Sequence, residues 1–209
     1  MKKYFIHKIE DPIESENIWR KATLLQDFSL PWKSEKPQET LFRALYDKNY
    51  IYLRYDVKDD EILIYSKTGK KDDVMYSDRV EIFFRKNEKL DQYYCLEIDP
   101  NGKVLDYSAE YYRKFDFTWS WPKKQLVIKT NIHKNGYRVN VKISLESLRK
   151  LGLLNNNRIE AGIFRGDCIK FPTGNEINAT IKWISWVDPE TKSPDFHVPT
   201  SFGVLELKK

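Results

Sequence analysis

The sequence predicts an all-β protein: an antiparallel β-sandwich of the immunoglobulin or jelly-roll kind, with one or two short helices. Three observations predict it. Runs of β-branched and aromatic residues follow one another along the chain, broken by short turn signals. Aromatic residues make up 14%, with 13 Tyr, 11 Phe and 6 Trp, a composition that favours pleated, half-buried surfaces. Helical periodicity is confined to two short segments. The 209 residues show no repeat and no linker, so a single domain over 1–209 is expected.

The elements follow in order. ENIWRKA (16–22) reads as one or two helical turns. TLFRALYD (40–47) and NYIYLRYDV (49–57) read as a hairpin, and EILIYSK (61–67) as a further strand. After the polar loop TGKKDD, the stretch RVEIFF (79–84) alternates: Val80, Ile82 and Phe84 share one face, Arg79, Glu81 and Phe83 the other. QYYCLEID (92–99) and KVLDYSA (103–109) are joined by PNG, a strong turn signal. QLVIKTNIH (125–133) and GYRVNVKIS (136–144) form another hairpin. SLESLRKLG (144–152) is a short helix, with Ser144 as cap, Leu145, Leu148 and Leu151 on one face, and Gly152 as its stop. RIEAGIFRGDCIK (158–170), IKWISWV (181–187) and GVLELK (203–208) complete nine to eleven strands.

Composition excludes several classes. Hydrophobics at 41% and charged residues at 32% allow a substantial core and argue against disorder. The net charge of +5 is spread with interspersed signs, so no nucleic-acid stripe is expected. No apolar run is long enough for a membrane span or a secretory signal. A cytoplasmic location is therefore expected unless a leader precedes the chain. Cys95 and Cys168 lie outside any C-x-x-C pair and read as small core cysteines. The acidic loops VKDDE (57–61) and KKDD (70–73), with Asp78, lack the spacing of a calcium loop and read as solvated surface. No metal site is assigned from them.

A hairpin symmetric about Lys89 sets Glu81 opposite Glu97. Like charges facing each other are destabilising, so a compensating group is required, and Arg43, Arg79 and Arg165 are the candidates. The paired carboxylates admit a retaining glycosidase spacing, but nothing else resembles a catalytic apparatus. His7, His133 and His197 are scattered, and no phosphate loop or nucleophile elbow is present. Trp32, Trp119, Trp121, Trp183 and Trp186 read either as core or as flat platforms for a sugar ring.

Several motifs together resemble the family nine carbohydrate-binding modules. FRALYDKNYIYLRYDVKD (42–59) is similar to the family's early hairpin, and SDRVEIFF (77–84) to its D-S-V-E-I-F strand. GYRVNVKIS (136–144), ISWVDP (184–189) and VPTSFGVLEL (198–207) match later strands, in the family's order. The resemblance implies a β-sandwich that binds sugar without cleaving it. In well-studied members two tryptophans clamp a terminal sugar and a glutamate bonds its hydroxyls. By position that glutamate is Glu81. The tryptophan positions fall at Met75, beside Tyr76, and at Phe196, so this chain departs from the clamp. The family's next polar positions fall near Cys95 and Glu97.

The expected ligand-binding set is therefore Trp32, Tyr76 and Phe196 for stacking, with Arg43, Arg79, Glu81, Glu97 and Arg165 for hydroxyls. The expected partner is a carbohydrate, the chain is not itself expected to be an enzyme, and structural calcium is the cofactor such members suggest. A second reading comes from haem-binding relatives of the same sandwich group, with Met75 and His197 as axial candidates.

Overall fold

The computed structural model describes residues 1–10, 13 and 15–208. Its strands are β1 (Lys3–Lys8), β2 (Thr40–Tyr46), β3 (Tyr50–Lys58), β4 (Arg79–Arg85), β5 (Tyr93–Ile98), β6 (Val104–Glu110) and β7 (Lys114–Asp116). They continue with β8 (Leu126–His133), β9 (Gly136–Ser144), β10 (Leu154–Asn155), β11 (Arg158–Lys170), β12 (Thr180–Ser185) and β13 (Gly203–Lys208). One α-helix, α1 (Leu145–Lys150), follows β9, and short 3-10 turns cover Glu16–Lys21, Lys71–Tyr76 and Pro199–Ser201.

The strands form one sheet curled over on itself, in the order β7-β6-β5-β4-β11-β13-β1-β2-β3-β9-β8. The long strand β11 makes the corner. Its first residues pair with β13, its middle pairs with β4, and its end pairs with β12. Two layers result, β7-β6-β5-β4-β11 over β13-β1-β2-β3-β9-β8. The pairing is antiparallel except around β1, which runs parallel to both β13 and β2.

Alternation decides what lies between the layers. Val80, Ile82 and Phe84 of β4, with Leu96 and Ile163, meet Phe42, Leu53, Tyr55, Val139 and Val141 of the other layer. All are buried, and each such side chain contributes roughly 1.5–3 kcal/mol by leaving water. The Tyr55 hydroxyl crosses the core and donates to the Glu81 carbonyl at 3.1 Å. Cys95 and Cys168 are buried and free.

α1 forms where expected, with Ser144 Oγ accepting from Ser147 N at 2.9 Å. The segment 16–21 forms a 3-10 turn. Residues 61–67, expected as a strand, have no sheet partner among the described residues. Leu63 N donates to Asp78 Oδ2 at 2.5 Å and Tyr65 N to Ser77 Oγ at 2.9 Å, so side chains replace a ladder. The N-terminal run Lys3–Lys8 is a strand that the turn-bounded runs did not reveal.

Two further expectations change. Asp59, Asp73 and Asp78, read as solvated, are all buried. Each accepts backbone N–H groups: Asp59 that of Glu61, Asp73 those of Thr68 and Gly69, and Asp78 that of Leu63. The carboxylates organise the loops instead of facing water.

Candidate functional site

The outer face of the β6-β5-β4-β11-β12 layer carries the site. The pairing register sets Glu97 of β5 opposite Glu81 of β4, and Glu81 opposite Phe164 of β11. One step along, Arg79 faces Gly166, which in turn faces Trp183 of β12. Alternation thus places Arg79, Glu81, Glu97 and Trp183 on one surface. Gly166 matters here, because a Cβ would sit 3.0 Å from Arg79 Nη1. Without one, the guanidinium packs over Gly166 of β11, its Cζ 5.0 Å from the Trp183 ring centre.

Arg79 supplies the compensating charge that facing glutamates require. Its Nε lies 2.8 Å from both Glu81 Oε1 and Glu97 Oε2. Only the Glu81 contact has hydrogen-bond alignment; Glu97 Oε2 has no hydrogen-bond donor among the described residues. Arg79 Nη1 donates to the carbonyls of Met75 and Ser77, at 3.1 and 3.2 Å. The Tyr107 hydroxyl donates to Glu97 Oε1 at 2.8 Å. Among the described residues Arg79 Nη2 has no hydrogen-bond partner, and Glu97 Oε2 is closed off against the guanidinium. Burial, reinforced by the Glu97 charge, pushes the Glu81 carboxyl up to about 8 despite Arg79. Glu81 therefore keeps its proton near neutral pH.

Above this floor runs a groove. A narrow part of about 90 Å3 is lined by Glu81, Phe83, Phe196 and His197. A wider part of about 510 Å3 is lined by Met75, Tyr76, Phe115, Phe117, Asn178 and Trp183. Arg79, Glu97, Arg113, Trp183 and His197 belong to both. One rim is tied down by Asp195, which accepts from Arg113 Nη1 at 2.9 Å, Tyr112 Oη at 2.6 Å and His197 N at 2.9 Å. Burial holds His197 neutral, pushed down to about 3.

The expected residues separate on this map. Arg79, Glu81, Glu97, Tyr76 and Phe196 line the groove. Phe196 is nonetheless 5% exposed and stacked on Phe164, with ring centres 4.0 Å apart, so it backs the wall instead of offering a face. Trp32 packs behind Phe196 and donates its indole N–H to Thr191 O at 2.9 Å. Arg43 is a correction: it lies on β2, in the opposite layer, paired with Asp56 at 3.3 Å. Arg165 is a second correction. It sits one residue from Phe164, so alternation turns it inward, where it is fully buried against Asp59 and Asp167.

Sequence reasoning did not assign Trp183, Tyr107, Arg113, Phe115 or Phe117 to the site. Trp183 had a signal. It stands three residues from Trp186, and odd spacing on a strand sends two side chains to opposite faces. Trp186 is buried in the core and Trp183 is half-buried on the groove.

Asp59, Asp78 and Asp167 bring carboxylate oxygens within 4.8 Å of one another, the one such cluster among the described residues. The set does not suit a calcium ion. Arg165 Nη2 already lies 2.9 Å from Asp59 and 3.1 Å from Asp167. Asp78 accepts Cys168 N and Leu63 N, one on each oxygen. The guanidinium supplies the positive charge from within the chain. A haem does not suit the groove either. Met75 and His197 both line it, but Arg79 and Glu97 form its floor, and His197 is stacked on Phe83 with Nδ1 3.1 Å from Tyr93 Oη.

A family model described as "Carbohydrate family 9 binding domain-like" matches residues 13–209. The chain belongs to that family, a class of carbohydrate-binding modules. Among solved structures it is similar to a Bacteroides uniformis protein described as carbohydrate-binding, with 17% identity, TM-score 0.71 and 99% of each chain covered. It is also similar to a family 9 module of Caldicellulosiruptor kristjanssonii solved with glucose (18% identity, TM-score 0.58, 99% of this chain and 96% of that one). The cellotriose complex described for that organism's family 9 module gives 16% identity and TM-score 0.60, over 99% of this chain and 94% of that one. These likenesses establish the fold. No curated protein sequence matches significantly.

Proposed function

We propose that the groove is where this chain binds saccharide, with a sugar ring against Trp183 and its hydroxyls held by Arg79 and Glu97. The observation that carries the reading is a half-buried indole beside the Arg79 guanidinium, whose Nη2 has no hydrogen-bond partner among the described residues, with Glu97 lining the same groove. A guanidinium nitrogen can donate to one hydroxyl while a carboxylate oxygen accepts from its neighbour. The indole offers an apolar face to the ring's C–H groups. Phe117, 40% exposed, adds a second aromatic surface at the wide end. The glucose and cellotriose complexes of the Caldicellulosiruptor module make short glucans the first ligands to test.

The same geometry argues against hydrolysis. A glycosidase needs one carboxyl on each side of the scissile bond, one as acid and one as nucleophile or base. Glu81 and Glu97 lie side by side on the floor, both against Arg79 Nε. Affinity electrophoresis against soluble polysaccharides, with a panel of mono- and disaccharides, tests the binding reading. Retardation by at least one glycan, lost in Glu97→Gln, is expected. Release of nitrophenol from aryl glycosides, abolished by Glu97→Gln, would overturn the non-catalytic assignment.

A further inference from the structure

We propose that a second cleft, on the outer face of the opposite layer, binds a carboxylate-bearing saccharide such as a uronic acid residue. It lies over β3, β9 and β8 and has a volume of about 310 Å3, room for a compact ring. Two cross-strand rows form its base, Tyr52–Lys142–Val127 and Arg54–Asn140–Lys129. The 3-10 turn Glu16–Lys21 overlies one side, with Trp19 under the Arg54 guanidinium at 4.2 Å.

The charges lining the cleft decide the ligand. Glu16 is its one acidic group among the described residues, and it is taken: Arg54 binds it at 2.7 and 3.0 Å and Arg138 at 3.1 Å. Lys129 and Lys142 have no carboxylate partner among the described residues. Lys142 Nζ rests 3.8 Å from the Tyr50 ring centre, beside the cleft. Two cations without counter-ions among the described residues, in a bounded cleft, favour an anion of small size. Asn140 gives its oxygen to Arg54 Nε at 2.9 Å, which turns its amide nitrogen into a free donor. Tyr52 and Val127 provide an apolar side for a ring. A carboxylate toward the lysines and hydroxyls toward Asn140 match this arrangement. The first groove has the reverse character, with two glutamates to one arginine on its floor.

The site is independent of the first groove and is tested apart from it. In a 1H–15N titration with sodium glucuronate at low salt, resonances of Val127, Lys129, Asn140 and Lys142 are expected to shift saturably. Glucose is expected to leave them in place. The double variant Lys129→Ala/Lys142→Ala, at exposed or half-exposed positions, is expected to weaken glucuronate binding by about tenfold or more. Trp183→Ala should leave it unchanged. Equal shifts with glucose, equal shifts with acetate, insensitivity to the lysine substitutions, or loss of binding in Trp183→Ala would each overturn the proposal.

Discussion

Glu81 faces Glu97 across two central strands, and the raised Glu81 carboxyl makes stability depend on pH in an uncommon direction. Burial raises Glu81 from 4.5 to about 8, and burial likewise raises Asp78 from 3.8 to about 7. Between the unfolded and folded values the native chain holds protons that the unfolded chain has released. Stability therefore falls as pH rises through that window. His197 works the other way, because its folded value drops from 6.5 to about 3, so its contribution grows with pH up to 6.5. From pH 6.5 to 8 the falling limb has no opposition from His197. Thermal unfolding over that range should show a declining Tm, equivalent to roughly 2 kcal/mol or less. Glu81→Gln should flatten the decline; an unchanged slope would show that Glu81 is already ionised in the folded chain.

Much at this scale was legible. A hairpin symmetric about Lys89 gave the pairing of Glu81 with Glu97, and that register is the one observed. The compensating arginine was not unique in the sequence, because a list of arginines does not say which face each occupies. Arg79 shares parity with Glu81 on β4, whereas Arg165 has the parity of Ile163, a core residue.

At the scale of elements, β9 begins where the backbone allows no side chain. Gly136 has φ +141°, and a Cβ there would lie 1.9 Å from Val57 O on β3. Gly136→Ala should destabilise the fold by more than about 2 kcal/mol, read as a lower urea midpoint with the m-value unchanged. A midpoint equal to the parent's would mean that the β3–β9 edge gives way freely. Strong alternation with clear turn residues made β4, β5, β8 and β9 readable from sequence. Residues 61–67 misled, because their aromatic and branched content suits a strand while Asp78 and Ser77 capture their N–H groups. β1 escaped notice because no hairpin introduces it: it enters the sheet by parallel pairing with a strand from the far end of the chain.

For the whole molecule, the curled sheet has two outer faces of different chemistry, and its end is locked from within by Arg165 among Asp59, Asp78 and Asp167. A fold held by its own cation should not need an added one. Excess EDTA, then millimolar calcium, should each leave Tm unchanged to within about 1 °C. A rise of several degrees with calcium would show that an ion displaces the guanidinium. Family motifs dispersed along the chain made the sandwich legible. The groove's outer wall was less so, because β7 and the Asp195 rim come together only in three dimensions.

The central claim is that the groove over β4, β5 and β12 holds a sugar against Trp183. Titration calorimetry with cellobiose and cellotriose, on the parent chain and on Trp183→Ala, tests it most directly. The account predicts saturable one-site binding by the parent. It predicts a loss of about 2 kcal/mol, roughly thirtyfold in Kd, in the variant, with Tm preserved. Undiminished binding by a folded Trp183→Ala would contradict it.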